Sequence, residues 1–207
     1  MKKLIALILA GLMILTLAAC GTASDKTPDE TKGDEAKVEE TKAEDTNKLE
    51  GVAAPVDILT AIWATYNEET EKFFAYGGDF EHMVDNAPGA FDLTNKDTVV
   101  AQLVCPESAQ AMIDGAASLI HGMNANTFTS AAYHIKDGSD AAAFISEMKT
   151  AIQGNHWMCG FPEKVLTAKV SDEYVVVAFG NGEAIEIFKG KLTALYSSAA
   201  VEVDAIG

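Results

Sequence analysis

The stretch that decides the fold is "KVLTAKVSDEYVVVAFG", Lys164–Gly180. It reads as two β-strands, 164–170 and 174–179, around a tight Ser171-Asp172-Glu173 turn. The second strand holds four consecutive β-favouring residues, Tyr174 to Val177, instead of an apolar–polar alternation. A continuous apolar run means that both faces are covered, so this strand is expected at the centre of its sheet. Downstream, "GNGE" breaks the strand, and Ala184, Ile185, Phe188, Leu192 and Leu195 recur with helical spacing. Upstream, "NTFTSAAYHI", 126–135, reads as another strand and "KDGS" as a turn. Ser139 is positioned to cap a helix whose Ala141, Phe144, Ile145, Met148 and Ile152 face inward. Nearer the N-terminus, Pro55 starts a helix through "PVDILTAIWATYNEETEKF", and residues 75–95 read as irregular. A short helical piece is expected at 98–104. A second full helix is expected from Pro106 to His121, with Gly122 as its stop. The expected fold is α+β: N-terminal helices followed by β-α-β-β-α, with a small, mostly antiparallel sheet covered by helices.

Three segments organise the chain. Residues 1–20 read as a signal peptide, with Lys2 and Lys3 before an apolar run from Leu4 to Leu17. That run is short for a membrane span and suits a signal core. "LAAC", Leu17–Cys20, resembles the cleavage box of bacterial lipoproteins, and the resemblance implies a mature chain that begins at an acylated Cys20. Two or more acyl chains anchor stably where one does not. Gly21 follows the cysteine, so nothing resembles the aspartate retention signal of Gram-negative lipoproteins. Residues 21–50 carry ten acids, five lysines and no aromatic residue. Such a segment lacks the apolar surface to offset its ordering entropy and is expected to be a disordered acidic tether. Residues 51–207 are long enough for one domain with a substantial core.

The domain carries 21 acids against 8 lysines, a net charge of −13, and the whole chain contains no arginine. A nucleic-acid partner needs a basic surface to displace phosphate counterions, so that class is excluded. Without arginine's planar fork, bidentate phosphate or carboxylate recognition is also disfavoured. Cationic, neutral or protein partners remain, beside an acidic surface that serves solubility alone.

"MNANTFTSAAYHIKDG", the helix after it, "YVVVAFG" and the C-terminal helix resemble a family of small Gram-positive lipoproteins carrying a C-terminal domain of unknown function. The likeness spans about residues 95–196. It implies the lipid-anchored setting and supplies no catalytic or binding residue.

Site chemistry centres on "NHWMCGFP", Asn155–Pro162. A dithiol motif would need a second cysteine at 162, where proline stands. Cys159 with His156 could form a nucleophile–base pair only if a loop brings them together. Cys105, Cys159, His82, His121, His134 and His156 lack the paired spacing of a zinc site. Asp79, Glu81, His82, Asp85 and Asn86 place hard oxygens close together without the ligand order of an EF-hand. "GNG", 180–182, lacks a phosphate-loop signature, and no serine sits in an elbow motif. Trp63, Tyr66 and Trp157 are candidates for a ligand groove or for core packing. With Cys20 assigned to lipid, Cys105 and Cys159 are left as an even pair in an exported protein. A disulfide closing that loop, two free thiols, and a chemical role for Cys159 stay open. The sequence therefore points to a membrane-anchored extracytoplasmic binding or accessory module without cofactor or metal. Its partners would be the bilayer, through Cys20, and an envelope protein or small ligand. The alternative is an envelope hydrolase or thiol enzyme using Cys159 with His156.

Overall fold

The computed structural model describes residues 49–207, which belong to one compact unit. The signal segment, Cys20 and all of the tether but its last two residues lie outside the described residues. The fold is α+β. The helices are α1 (Pro55–Ala64), α2 (Lys96–Leu103), α3 (Glu107–Gln110), α4 (Ala141–Gln153) and α5 (Gly182–Leu195). The strands are β1 (Ala75–Gly77), β2 (Val84–Asp85), β3 (Gly89–Ala90), β4 (Ile113–His121), β5 (Phe128–Ile135), β6 (Lys164–Lys169), β7 (Tyr174–Gly180) and β8 (Ala200–Ala205). They form one open sheet in the order β2-β1-β4-β5-β7-β6-β8, with β3 also on β4, and each of its pairings is antiparallel.

Helices cover both faces. On one, Ile58, Leu59 and Ile62 of α1 and Ile185, Phe188 and Leu192 of α5 pack on Phe128, Ala132, Leu166 and Val176. On the other, Val99 and Leu103 of α2 and Phe144, Met148 and Ile152 of α4 pack on Ala131, Tyr133, Val175 and Val177. β7 thus sits between two apolar layers, and all seven of its residues are buried. The unbroken run in the sequence is the signature of that position.

The expected helix from Pro106 to His121 is corrected by the structure. Only Glu107–Gln110 is helical, and Ile113–His121 is the long strand β4, paired with β5 from Ile113↔Ile135 to Ile120↔Thr129. Its "DGAASLI" core is rich in alanine, which favours helix in isolation. Small side chains also fit between two helical layers, and the ladder to β5 prevails over local propensity. The region read as irregular, 75–95, contains β1, β2 and β3. There the chain crosses itself so closely that a Cβ on Gly77 would lie 2.1 Å from the Gly89 nitrogen, which only glycine permits. β8 is a further strand that the sequence reading lacks; Lys149 Nζ of α4 holds it through Glu202 and Asp204, each at 2.8 Å. Asp140, not Ser139, caps α4 by accepting the Ala142 N–H. α1 ends at Ala64, short of the expected run to Phe73, where Asn67 Oδ1 turns the chain by accepting the Glu69 and Thr70 N–H groups.

The sheet gives the domain two distinct ends. α1 starts near Gly115, since Pro55 would meet a side chain placed there, and residue 49 is only six positions earlier. The β4–β5 turn, the end of α4 and the start of α5 lie at the opposite end, as the pairing of Phe128 with Gly180 and of Gly180 with Lys164 requires. The nine residues of β4 separate the two ends by roughly 26 Å.

Candidate functional site

Beside the β4–β5 turn an aromatic stack surfaces. Trp63, at the end of α1, lies 4.9 Å from Tyr66 and 5.2 Å from Phe73 between ring centroids. Phe73 meets the edge of Phe128 at 5.5 Å and stacks on His121 at 5.1 Å with an interplanar angle of 18°. Strand alternation sends Phe128, the first residue of β5, to the α1/α5 face, and the Asn181 cap begins α5 beside it. Between these elements opens a groove of about 220 Å³, lined by Tyr66, Phe73, His121 and Phe128 and edged by Glu71 and Glu183.

Its polar groups have defined roles. His121 Nδ1 faces the backbone N–H groups of Met123 and Asn124 at 3.2 and 3.3 Å and accepts from them. In the neutral ring the proton therefore sits on Nε2, which is left as a donor. Lys191 Nζ lies 2.7 Å from Glu71, also donates to the Thr65 carbonyl, and stands 5.7 Å over the Tyr66 ring. That lysine, with the Asn67 N–H, holds the Glu71 carboxyl below its usual range. Burial, reinforced by the Glu71 charge, keeps the Tyr66 hydroxyl neutral far above its ordinary range. The first turn of α5 brings about half a positive charge, which the Glu163 and Glu183 carboxylates outweigh. Glu163 accepts the Gly182 N–H at 2.8 Å, while Glu183 is exposed at the groove edge. The groove joins an aromatic floor to an anionic edge.

A second feature is built at the same end. The side-chain amide of Asn124 donates to the Cys159 carbonyl at 2.8 Å, and that of Asn126 donates to the Met158 and Gly160 carbonyls at 2.9 and 3.1 Å. These bonds hold the 158–160 loop with Cys159 at a φ of 62° and Gly160 at 130°. Trp157 roots the loop against Phe179, 5.1 Å away. The clamped loop leaves Met158 80% and Phe161 79% exposed; Met123 in the turn is 80% exposed and Phe74, packed over Gly122, 55%. Met123, Met158 and Phe161, exposed to that degree, gain little from the fold.

The residues singled out in the sequence are dispersed. Of the alternatives left open for Cys105 and Cys159, the structure shows both as free thiols. Cys105 is fully buried in the α2–α4 layer, where burial pushes its thiol up to about 12, whereas Cys159 is exposed in the clamped loop. His156 is exposed, and the polar contacts of the loop run to Asn124 and Asn126, with no bond between His156 and Cys159 among the described residues. His82, His121 and His134 lie on separate segments, and no group of three or more metal-binding side chains occurs among the described residues. In the 79–86 loop Asp79 turns inward and Asn86 offers its carbonyl to Trp63 Nε1, leaving Glu81 and Asp85 exposed. "GNG" forms the β7–α5 junction. Of the three aromatic candidates only Tyr66 lines the groove; Trp63 lies beneath it and Trp157 supports the loop. Phe73, His121, Phe128 and the two asparagine clamps carry no signal in the linear sequence, because strand pairing alone assembles them. Cys20 lies outside the described residues. Among those residues no helix is long and apolar enough to cross a membrane. The chain matches no family profile, no curated protein and no solved structure.

Proposed function

We propose that the protein is a lipid-anchored extracytoplasmic binding module that presents its β4–β5 turn end to a partner in the cell envelope. The observation that carries this reading is the gathering of the groove and of four exposed apolar side chains at one end of the domain. The described chain begins at the other end. Cys20 in "LAAC" supplies the anchor, and the acidic stretch after it supplies reach. The polar contacts of the Cys159 loop, which run to Asn124 and Asn126 and not to His156, support binding over thiol chemistry.

Two measurements test the proposal. Cys20→Ser is expected to move the protein from the membrane to the soluble fraction while its thermal melt stays unchanged. A photo-crosslinking residue at 123 is expected to give a discrete adduct in intact cells, and one at Asp137, at the far end, is not. Retention of the Cys20→Ser protein in washed membranes defeats the anchor, and equal yields at 123 and 137 defeat the binding end.

A further inference from the structure

The proposed binding end has a size and a charge that specify its partner. Small-molecule sites enclose roughly 300–1,000 Å³. The groove, at about 220 Å³, falls short of that range and suits a single anchoring side chain of a protein partner. Its floor is the half-buried Phe73 ring, backed by the buried Phe128, and its edge carries Glu183, with no ion-pair partner among the described residues, beside the Lys191-paired Glu71. Glu68 and Glu69 extend the acidic edge along the 65–72 segment; Lys72 pairs with Glu68, which leaves Glu69 free to meet a partner's charge. Arginine fits such a slot: its stem lies on aromatic rings while its planar head, which stacks on them as well, reaches a carboxylate. A second copy of this domain is a poor occupant, since it carries no arginine and brings a like charge of −13. A lipid surface is a poor one too, because anionic headgroups repel this edge.

Resting on the binding-module reading, we infer that this end docks a basic, flexible segment of a partner protein, with an arginine side chain seated against Phe73 and Glu183. The partner's apolar side chains meet the rim of Phe74, Met123, Met158 and Phe161. The Asn124 and Asn126 clamps hold that rim in place before binding, which lowers the ordering cost of association.

The test uses the full chain in nanodiscs of uncharged net composition and a fluorescein-labelled twelve-residue peptide of arginine, tryptophan, glycine and serine, read by anisotropy against empty nanodiscs. The arginine peptide is expected to bind at least about ten-fold tighter than its citrulline counterpart, which keeps the shape and loses the charge. Glu183→Gln is expected to weaken binding about three- to ten-fold, and Met123→Ser with Phe161→Ser about ten-fold, while Asp137→Asn at the far end changes nothing. All four positions are exposed, so melting temperatures serve as the folding control. Equal binding of arginine and citrulline peptides overturns the inference. So does an effect of Asp137→Asn as large as that of Glu183→Gln, which marks diffuse attraction to an acidic domain. If the crosslink at 123 forms in cells and the peptide contrast fails, the binding module stands and its basic partner falls.

Discussion

Asp79 is the position where one substitution has the most legible consequence. Its side chain is 6% exposed, and its two oxygens face the backbone N–H groups of Glu81 at 2.8 Å, His82 at 3.1 Å and Asp92 at 3.0 Å, with the His82 ring at 3.1 Å. The carboxylate thereby fastens the loop before β2 to the strand end after β3. Burial alone would raise its pKa, but the N–H groups of Asp92, Glu81 and His82 and the His82 ring together hold it below the ordinary range. Asp79→Ala leaves these donors without their acceptor. Bonds to a charged acceptor contribute about 1.5–3 kcal/mol each, and water can replace those of the exposed Glu81 and His82, so the net cost is about 3 kcal/mol. In a domain of this size that lowers the melting temperature by about 6–12 °C. Asp79→Asn keeps an acceptor oxygen without the charge and is expected to cost about half as much. The pH dependence has a definite sign. Because the folded carboxyl titrates below the unfolded value of about 3.9, the stabilisation is complete above that value and is lost as the pH falls through the folded one. Urea unfolding of parent and Asp79→Ala at pH 7, 5, 3 and 2 reads both effects. The difference should shrink below about pH 4. A difference under about 1 kcal/mol at pH 7, or one unchanged at pH 2, refutes the role assigned to the carboxylate.

Further outcomes follow from the same geometry. Under non-reducing conditions at neutral pH, exposed Cys159 is expected to alkylate in the folded domain and buried Cys105 only after unfolding; mass spectrometry that finds neither modified even after unfolding supports the disulfide alternative. Because the folded Cys105 thiol titrates near 12 against about 8.5–9 unfolded, its contribution to stability is full below pH 8.5 and declines as the pH rises toward 12, which Cys105→Ala should abolish in alkaline urea titrations. Phe144→Ala removes a fully buried ring 4.9 Å from Tyr133 and should cost about 3–5 kcal/mol, seen as a melt lower by about 6–20 °C. Asn126→Ala should leave the melt within a few degrees while making the 158–160 loop the first site of proteolysis within residues 51–207, since its two side-chain bonds hold only that loop.

Legibility in the sequence tracks how local the cause of each element is. β6, β7, α4 and α5 announce themselves because their burial is written into their own periodicity: a seven-residue apolar run for a strand covered twice, four-residue spacing for helices covered once. β4 does not, because its alanines favour helix by themselves, and only the partner strand β5 converts the segment into a strand. β1, β2 and β3, two or three residues each, exist by virtue of contacts with β4 and with one another. The site shows the same division. The "NHWMCGFP" stretch draws notice as chemistry, yet the structure presents backbone carbonyls of its 158–160 part to Asn124 and Asn126 and the Met158 and Phe161 side chains to solvent.

The choice between a reactive and an adhesive end turns on what the clamps achieve. A nucleophilic cysteine gains from a base within hydrogen-bond reach, and the Asn124 and Asn126 amides instead occupy the carbonyls on both sides of the Cys159 thiol and at its own residue. Those three bonds and a left-handed Cys159, a conformation that L side chains rarely adopt, hold a loop whose most exposed parts are Met158 and Phe161. A fold that fixes apolar side chains in water at backbone expense recovers nothing from them while unbound. Covering Met123, Met158 and Phe161 by another surface would contribute about 25 cal/mol for each Å² of apolar area removed from solvent. On the proposed binding reading, that contact must also satisfy the carboxylates beside it, which is why a positively charged neighbour is proposed for this end.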